Sequence, residues 1–175
     1  MPPELRGKRV VLRAPAEADL PFLLAFANDP DLRGWLRFTM PTTQEHERRW
    51  LEGLDDARDR VWLLCEADDG RVVGCVGLHG WDPVARHAEL GLGILAPADR
   101  GRGLGAEACA LALRHGFEAM GLQRVWLHVI EDNPARRLYE RLGFREEGRL
   151  RRHLYKRGAW RDAIAMGLLR EEWRG

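Results

Sequence analysis

Apolar residues along the chain alternate between two periods, and the switches between them mark the predicted elements. Arg9-Val10-Val11-Leu12-Arg13 reads as a short strand. Leu20, Leu23, Leu24 and Ala27 recur at helical spacing and predict a helix over 17–28, which Asn28-Asp29-Pro30 stops. Residues 34–41, with Trp35 and Phe38, read as an aromatic loop. Thr42-Thr43-Gln44-Glu45 fits a capping box that opens a second helix running to about residue 54. Strands over 61–66 and 71–78 flank Asp68-Asp69-Gly70, a hairpin signal, and a further strand covers 88–95. A glycine-rich stretch then opens a helix that runs to about 120, where Gly121 stops it. A strand over 124–130, a helix over 134–142 with proline in its first turn, and strands over 144–154 and 160–169 joined through Lys156-Arg157-Gly158 complete the pattern. The order βααβββαβαββ predicts an α+β fold: a single mixed, largely antiparallel twisted sheet flanked by helices. No repeat or polar linker divides the 175 residues, so one domain spanning 1–175 is expected.

Composition narrows this picture. With 45% hydrophobic and 31% charged residues, wholesale disorder is excluded. Cys65, Cys75 and Cys109 are odd in number and lack C-x-x-C spacing, so reduced thiols in a cytoplasmic protein are expected. No apolar run approaches the ~20 residues of a membrane span, and Met1-Pro2-Pro3-Glu4 shows no signal-peptide pattern; no membrane association is expected. The net charge of +1 gives no global field that would draw nucleic acid. From Asn133 onward 12 basic and 6 acidic residues leave a local net charge of +6, read as a solvated arginine-rich face. The six histidines form no H-x₃-H pair, and no metal site is expected.

The sharpest chemical signal is Arg100-Gly101-Arg102-Gly103-Leu104-Gly105-Ala106, between a strand and a helix. Glycines let backbone approach an anion, and a helix start offers unpaired N–H groups and partial positive charge suited to a pyrophosphate. Arg100 and Arg102 add charge-assisted donors. No G-K-[ST] follows, so this is not a Walker loop; the G-x-G-x-G spacing outside a parallel βαβ series is not the dinucleotide fingerprint. A ligand-free turn is the remaining alternative. Glu89, Gly91 and Gly93 alternate along one strand and share one side of it.

With these residues the chain resembles the GNAT superfamily of acetyl-CoA-dependent N-acetyltransferases. Arg100, Gly103 and Gly105 match the family's [QR]-x-x-G-x-[GA] loop, and Asn133-Pro134-Ala135-Arg136-Arg137-Leu138-Tyr139-Glu140-Arg141-Leu142-Gly143-Phe144 matches its N-x-x-[AS]-x-x-x-Y-x-x-x-G-F element. Leu12-Arg13-Ala14-Pro15, Trp35 and Gly158-Ala159-Trp160-Arg161-Asp162 are similar to the RimJ/RimL branch, the ribosomal-protein N-terminal acetyltransferase group. The resemblance spans essentially the whole chain. It implies acetyl-CoA as co-substrate, a pyrophosphate loop over 100–106, and a splayed strand at Gly93, Ile94 and Leu95 that offers an oxyanion donor. It also implies Tyr139 as proton donor to the leaving thiolate, and Asn133 holding the pantetheine arm or ordering the loop.

The base stays open between Glu89, Asp162 and no dedicated group; His79 and His87 are assigned structural roles. An α-amine of pKa ~7.8 costs only ~1 kcal/mol to deprotonate at pH 7, against ~4.6 for a lysine. Direct transfer without a covalent acyl-enzyme is expected, with Cys109 packed inside a helix. The acceptor pocket is expected between the 33–40 loop, the Trp81-Asp82-Pro83 turn and the last hairpin, walled by Trp35, Phe38 and Trp81. The resemblance favours a protein or peptide N-terminal amine, with a polyamine or aminoglycoside as the alternative and a homodimer among the assemblies left open. A non-catalytic acyl-CoA sensor also remains open. A nucleic-acid module lacks an aromatic-interleaved basic stripe.

Overall fold

The computed structural model describes residues 2–36, 40–54 and 57–175. Eight strands form one sheet: β1 Leu5–Arg6, β2 Val10–Arg13, β3 Arg60–Glu66, β4 Val72–Asp82, β5 His87–Ile94, β6 Arg124–Ile130, β7 Arg145–Lys156 and β8 Ala159–Leu169. Their spatial order is β1-β2-β3-β4-β5-β6-β8-β7, and every neighbouring pair is antiparallel except β5 with β6. The helices are α1 Leu20–Asn28, α2 Pro30–Trp35, α3 Gln44–Glu52, α4 Leu104–Arg114 and α5 Arg136–Arg141. The expected α+β architecture, one mixed and largely antiparallel sheet, is the one found.

Four local features differ from the pattern reading. Asn28 does end α1, but Asp29 at once caps a further helix by accepting the Leu32 amide at 2.7 Å, with Pro30 in its first turn. Part of the expected aromatic loop is therefore helical. The cap of α3 is Thr43, which accepts the His46 amide at 3.2 Å, one residue later than the proposed box. After Arg114, α4 widens into a π turn over His115–Ala119 before Gly121 (φ 69°) ends it. The two-residue β1 carries too little pattern to be read from sequence. The last turn follows its signal: Arg157 (φ 53°) and Gly158 (φ 75°) form a two-residue connection between β7 and β8.

Period-two alternation sends the two sets of side chains to opposite faces of the sheet. On one face Trp62, Leu78, Leu90, Leu127 and Met166 meet Leu113 of α4, Phe117 and Tyr139 of α5 in the main core. Fully burying each such side chain contributes about 1.5–3 kcal/mol. On the other face Leu23 of α1 packs on Leu63 and Cys65. Arg13, in the Leu12-Arg13-Ala14-Pro15 stretch, grips Asp19 with both Nη atoms at 2.8 and 2.7 Å, which ties β2 to the start of α1. Among the described residues no helix is long and apolar enough to cross a membrane.

Candidate active site

The one parallel pair in the sheet is also its weakest seam. β5 and β6 are in register over three pairs only, His87–Arg124, Ala88–Val125 and Glu89–Trp126. Beyond Glu89, β5 keeps its ladder with β4 as far as Ile94, and β6 keeps its ladder with β8 as far as Ile130. The edges of β5 and β6 facing each other are therefore unzipped over Leu90–Ile94, where Gly93 and Ile94 lie. A backbone edge left unpaired inside a fold is a docking edge for another polar chain.

At the far end of this seam the glycine loop turns into α4. Gly101 and Gly103 adopt φ of 74° and 83°, a region that side chains disfavour, and Gly103 is the N-cap of α4. Among the described residues the N–H groups of Gly103, Leu104, Gly105 and Ala106 have no acceptor in the chain; the first helical bond comes from Glu107 to the Gly103 carbonyl at 3.2 Å. These donors fit a pyrophosphate. The two arginines face elsewhere. Arg100 donates to the Ile94 and Leu95 carbonyls at 3.0 and 2.9 Å and pairs with Asp31, so it welds the loop to the end of β5. Arg102 pairs with Glu66 at 2.6 Å and Asp99 at 2.8 Å. Asp99 is buried, and Arg71, with Arg102, holds its carboxyl below the usual range. Gly105 serves packing: a Cβ there would lie 3.1 Å from Leu92 and 3.3 Å from Ile94 of β5.

Tyr139 lies in the main core with its ring 5.9 Å from Phe144, edge to face. The residue is buried, and its hydroxyl makes no hydrogen bond among the described residues. Burial pushes the phenol well above its ordinary value, which keeps the proton in place until a stronger acceptor appears. Asn133 accepts the Ala135 amide at 2.9 Å and so shapes the turn between β6 and α5. Cys109 is fully buried, and desolvation raises its thiol to about 12, unsuited to nucleophilic work at neutral pH.

Glu89 stands on the opposite face of the sheet, in register with His79 of β4 and Trp126 of β6, at the last rung before the seam opens. The Trp126 indole donates to His87 Nδ1 at 3.3 Å. From Trp126 a run of rings continues to His128 at 5.2 Å and from there to His153 at 5.6 Å. It ends at a cavity of about 730 Å³ lined by Arg149, Leu150, Arg151, Arg152 and His153, where β7 bulges and Arg152 takes φ 50°. Beside the two missing Cβ atoms of β5, protein side chains fill the space: His79 lies 3.1 Å from that of Gly91, and Phe26 lies 2.5 Å from that of Gly93. A ligand reaching the Gly91–Gly93 stretch of β5 thus does so along the unzipped edge.

Glu89 and Asp162 are not brought together. Asp162 sits beside Glu131, whose amide donates to its carbonyl at 3.1 Å, roughly 17 Å along β6 from the Trp126 rung. The Arg152 amide (2.8 Å) and Arg149 (3.0 Å) hold the Asp162 carboxylate below its ordinary range, so it braces the β7 bulge and is a weak base. Trp35 and Trp81 are likewise apart. Trp35 carries the Arg157 guanidinium 4.3 Å above its ring, while Trp81 packs on the α4-side core under Arg60, away from the Glu89 face. Phe38 lies outside the described residues. Sequence reasoning missed Arg157 and the Trp126–His128–His153 run; the alternation in Arg124–Ile130 already puts Trp126 and His128 on one side.

A sheet unzipped between its two parallel strands, next to a helix start rich in free amides, defines an acyl-coenzyme-A-dependent transferase. Residues 9–145 match the model of the acetyltransferase (GNAT) domain, and the chain belongs to this family of N-acetyltransferases, which use acetyl-CoA. YdaF of Bacillus subtilis strain 168, a candidate ribosomal N-acetyltransferase, is 37% identical over 153 residues, 87% of this chain and 79% of YdaF. The spermidine N(1)-acetyltransferase of Escherichia coli K12 is 34% identical over 94% of this chain and 88% of its own length. The crystal structure of the Vibrio cholerae spermidine N-acetyltransferase with CoA and spermine superposes with a TM-score of 0.87 at 28% identity, covering 95% of this chain and 98% of that one.

Proposed function

We propose that this N-acetyltransferase acts on the α-amino group of a protein or peptide whose following residues include acidic ones. The observation that carries the proposal is the run from Glu89 through Trp126, His128 and His153 to the arginine-lined cavity. That path is long enough for an extended chain, and its far end has the wrong sign for a polycation. The coenzyme, when bound, supplies a thioester. The amides of 103–106 hold its phosphates, and Gly93, Ile94 and Leu95 line its arm along the unzipped edge. Asn133 shapes the neighbouring turn, Glu89 takes the proton of the incoming ammonium, and Tyr139 gives its proton to the leaving sulfur. With all three thiols raised by burial, transfer is direct.

A competitive panel of acidic and neutral N-terminal peptides, spermidine and an aminoglycoside, followed by coenzyme A release, tests this. The expected outcome is highest kcat/KM with an acidic peptide. The names of the spermidine-acetylating relatives favour a second reading, and spermidine exceeding every peptide tenfold would establish it.

A further inference from the structure

We infer that Asp31 is a positioning residue shared by the two substrates: its carboxylate orients Arg100 at the end of the unzipped edge and Arg157 at the tip of the last hairpin, so that each substrate binds more tightly when the other is in place. The inference rests on the acetyl-transfer reading and adds to it a coupling between coenzyme and acceptor. Asp31 stands in the first turn of α2. Its Oδ2 accepts from Arg100 Nη1, and its Oδ1 accepts from Arg157 Nη2 at 2.7 Å. Among the described residues Asp31 alone bonds both guanidiniums. Arg100 uses its Nε and Nη2 on the Ile94 and Leu95 carbonyls, at 3.0 and 2.9 Å. The Leu95 amide donates to the Val73 carbonyl of β4 at 2.9 Å, so alternation along β5 turns the Ile94 carbonyl the other way, to the open edge facing β6. Arg100 therefore closes the end of the edge proposed for the coenzyme arm.

The acceptor-side arginine is placed as closely. Arg157 lies 4.3 Å above the Trp35 ring, and its Nε is 2.5 Å from where a Gly34 Cβ would be. Arg100 first, and then Arg157, hold the Asp31 carboxyl below its ordinary range, so it is ionised at neutral pH. The side chains of Asp31 and Arg157 are 44% and 45% exposed, and ion pairs so exposed add little to folding. Lys156 also donates to the Arg33 carbonyl at 2.8 Å, so the hairpin stays on α2 when the Asp31 charge is removed. What the carboxylate controls is the direction of two guanidiniums. The edge of β5 has no strand partner at Ile94 until a ligand fills the seam. Filling it fixes the Ile94 carbonyl, and through Arg100 and Asp31 it fixes Arg157 and the ring of Trp35. The second ligand then meets groups already ordered, and the effect is reciprocal.

The test uses the full-length chain and coenzyme A, which carries no acetyl group and so allows no turnover. Its Kd is measured by calorimetry alone and with a saturating acceptor, an acidic N-terminal peptide in one arm and spermidine in the other. In the wild-type chain at least one acceptor should tighten coenzyme A binding by about fivefold or more. In Asp31→Asn that ratio should fall below about twofold, and Asp31→Glu should keep part of it. Gly34→Ala displaces Arg157 but leaves the Arg100–Asp31 pair, so it should lower the ratio with coenzyme A affinity alone unchanged; in the Asp31→Asn background it should lower it no further. Coenzyme A alone should slow hydrogen exchange over residues 30–36 in the wild-type chain and not in Asp31→Asn. A wild-type ratio of one with both acceptors overturns the inference, as does a ratio that survives in Asp31→Asn or equal slowing of exchange in both chains. Failure of the site reading looks different: Gly103→Val would then bind coenzyme A as tightly as the wild-type chain.

Discussion

The coenzyme side and the acceptor side of this enzyme are built by different means. Around the glycine loop the backbone itself is the site. Two left-handed glycines and helix-start amides present the donors proposed for the coenzyme, and the Asp99–Arg71–Arg102–Glu66 ion pairs lock the loop from behind. On the proposed acceptor side, side chains far apart in sequence are brought together. Arg157 lies on Trp35 and pairs with Asp31 at 2.7 Å, and Lys156 donates to the Arg33 carbonyl at 2.8 Å, so the tip of the last hairpin is docked on α2. A ligand common to a whole family is suited by invariant backbone geometry. A ligand that varies is met by side chains that can change without unmaking the sheet.

The largest expected effect separates chemistry from both binding regions. Tyr139→Phe should lower kcat by about 100-fold, the lower range for a lost general acid, with coenzyme affinity held within twofold by calorimetry. Gly103→Val comes next. It must hold φ 83° and would press on Arg9, 2.7 Å from the new Cβ, so coenzyme affinity should fall at least about tenfold. Gly105→Val sharpens the contrast inside the same loop: it should be destabilised by about 1–3 kcal/mol through overpacking on Leu92 and Ile94, seen as a lowered Tm before any ligand is added. Arg157→Ala should touch only the acceptor side. It removes a cation–π contact and a part-exposed ion pair, each ~0.5–1 kcal/mol, so acceptor KM should rise several-fold with coenzyme affinity unchanged.

The smallest effect is a pH dependence. The Asp99 carboxyl is held below its unfolded value by Arg71 and Arg102. Its contribution to stability is therefore complete above ~3.9 and is lost as pH falls through the depressed folded value. Denaturant unfolding should show the wild-type advantage over Asp99→Asn full at pH 7 and shrinking in acid.

The coenzyme side was legible because its determinants are local. Gly101, Gly103 and the strand-to-helix switch sit within a few residues of one another, and their spacing carries the geometry. The arginines were less legible: Arg100 has the right charge for a phosphate, but the competing Ile94 and Leu95 carbonyls are a property of the fold. Contacts between strands depended on register. Counting back from the Asp68-Asp69-Gly70 turn without the irregularity between Leu64 and Cys65 would put Asp59 opposite Leu78; the one-residue shift puts it beside His79. Trp81 was misjudged for a similar reason. Gly80, at φ 58°, and the register shift between His79 and Asp82 turn the indole to the other face.

The unzipped edge of β5 also bears on how long the enzyme survives. Amides along Leu90–Ile94 that lack a strand partner on one side give the sheet its easiest place to breathe, and hydrogen exchange should be quickest there. Whatever lies in that seam adds to the folding free energy by mass action, about 2.7 kcal/mol at a hundredfold excess over Kd. Resistance to heat and proteolysis then becomes a gauge of acetyl-CoA supply: a cell rich in it holds its pool of this enzyme closed, and a starved one leaves it exposed to turnover.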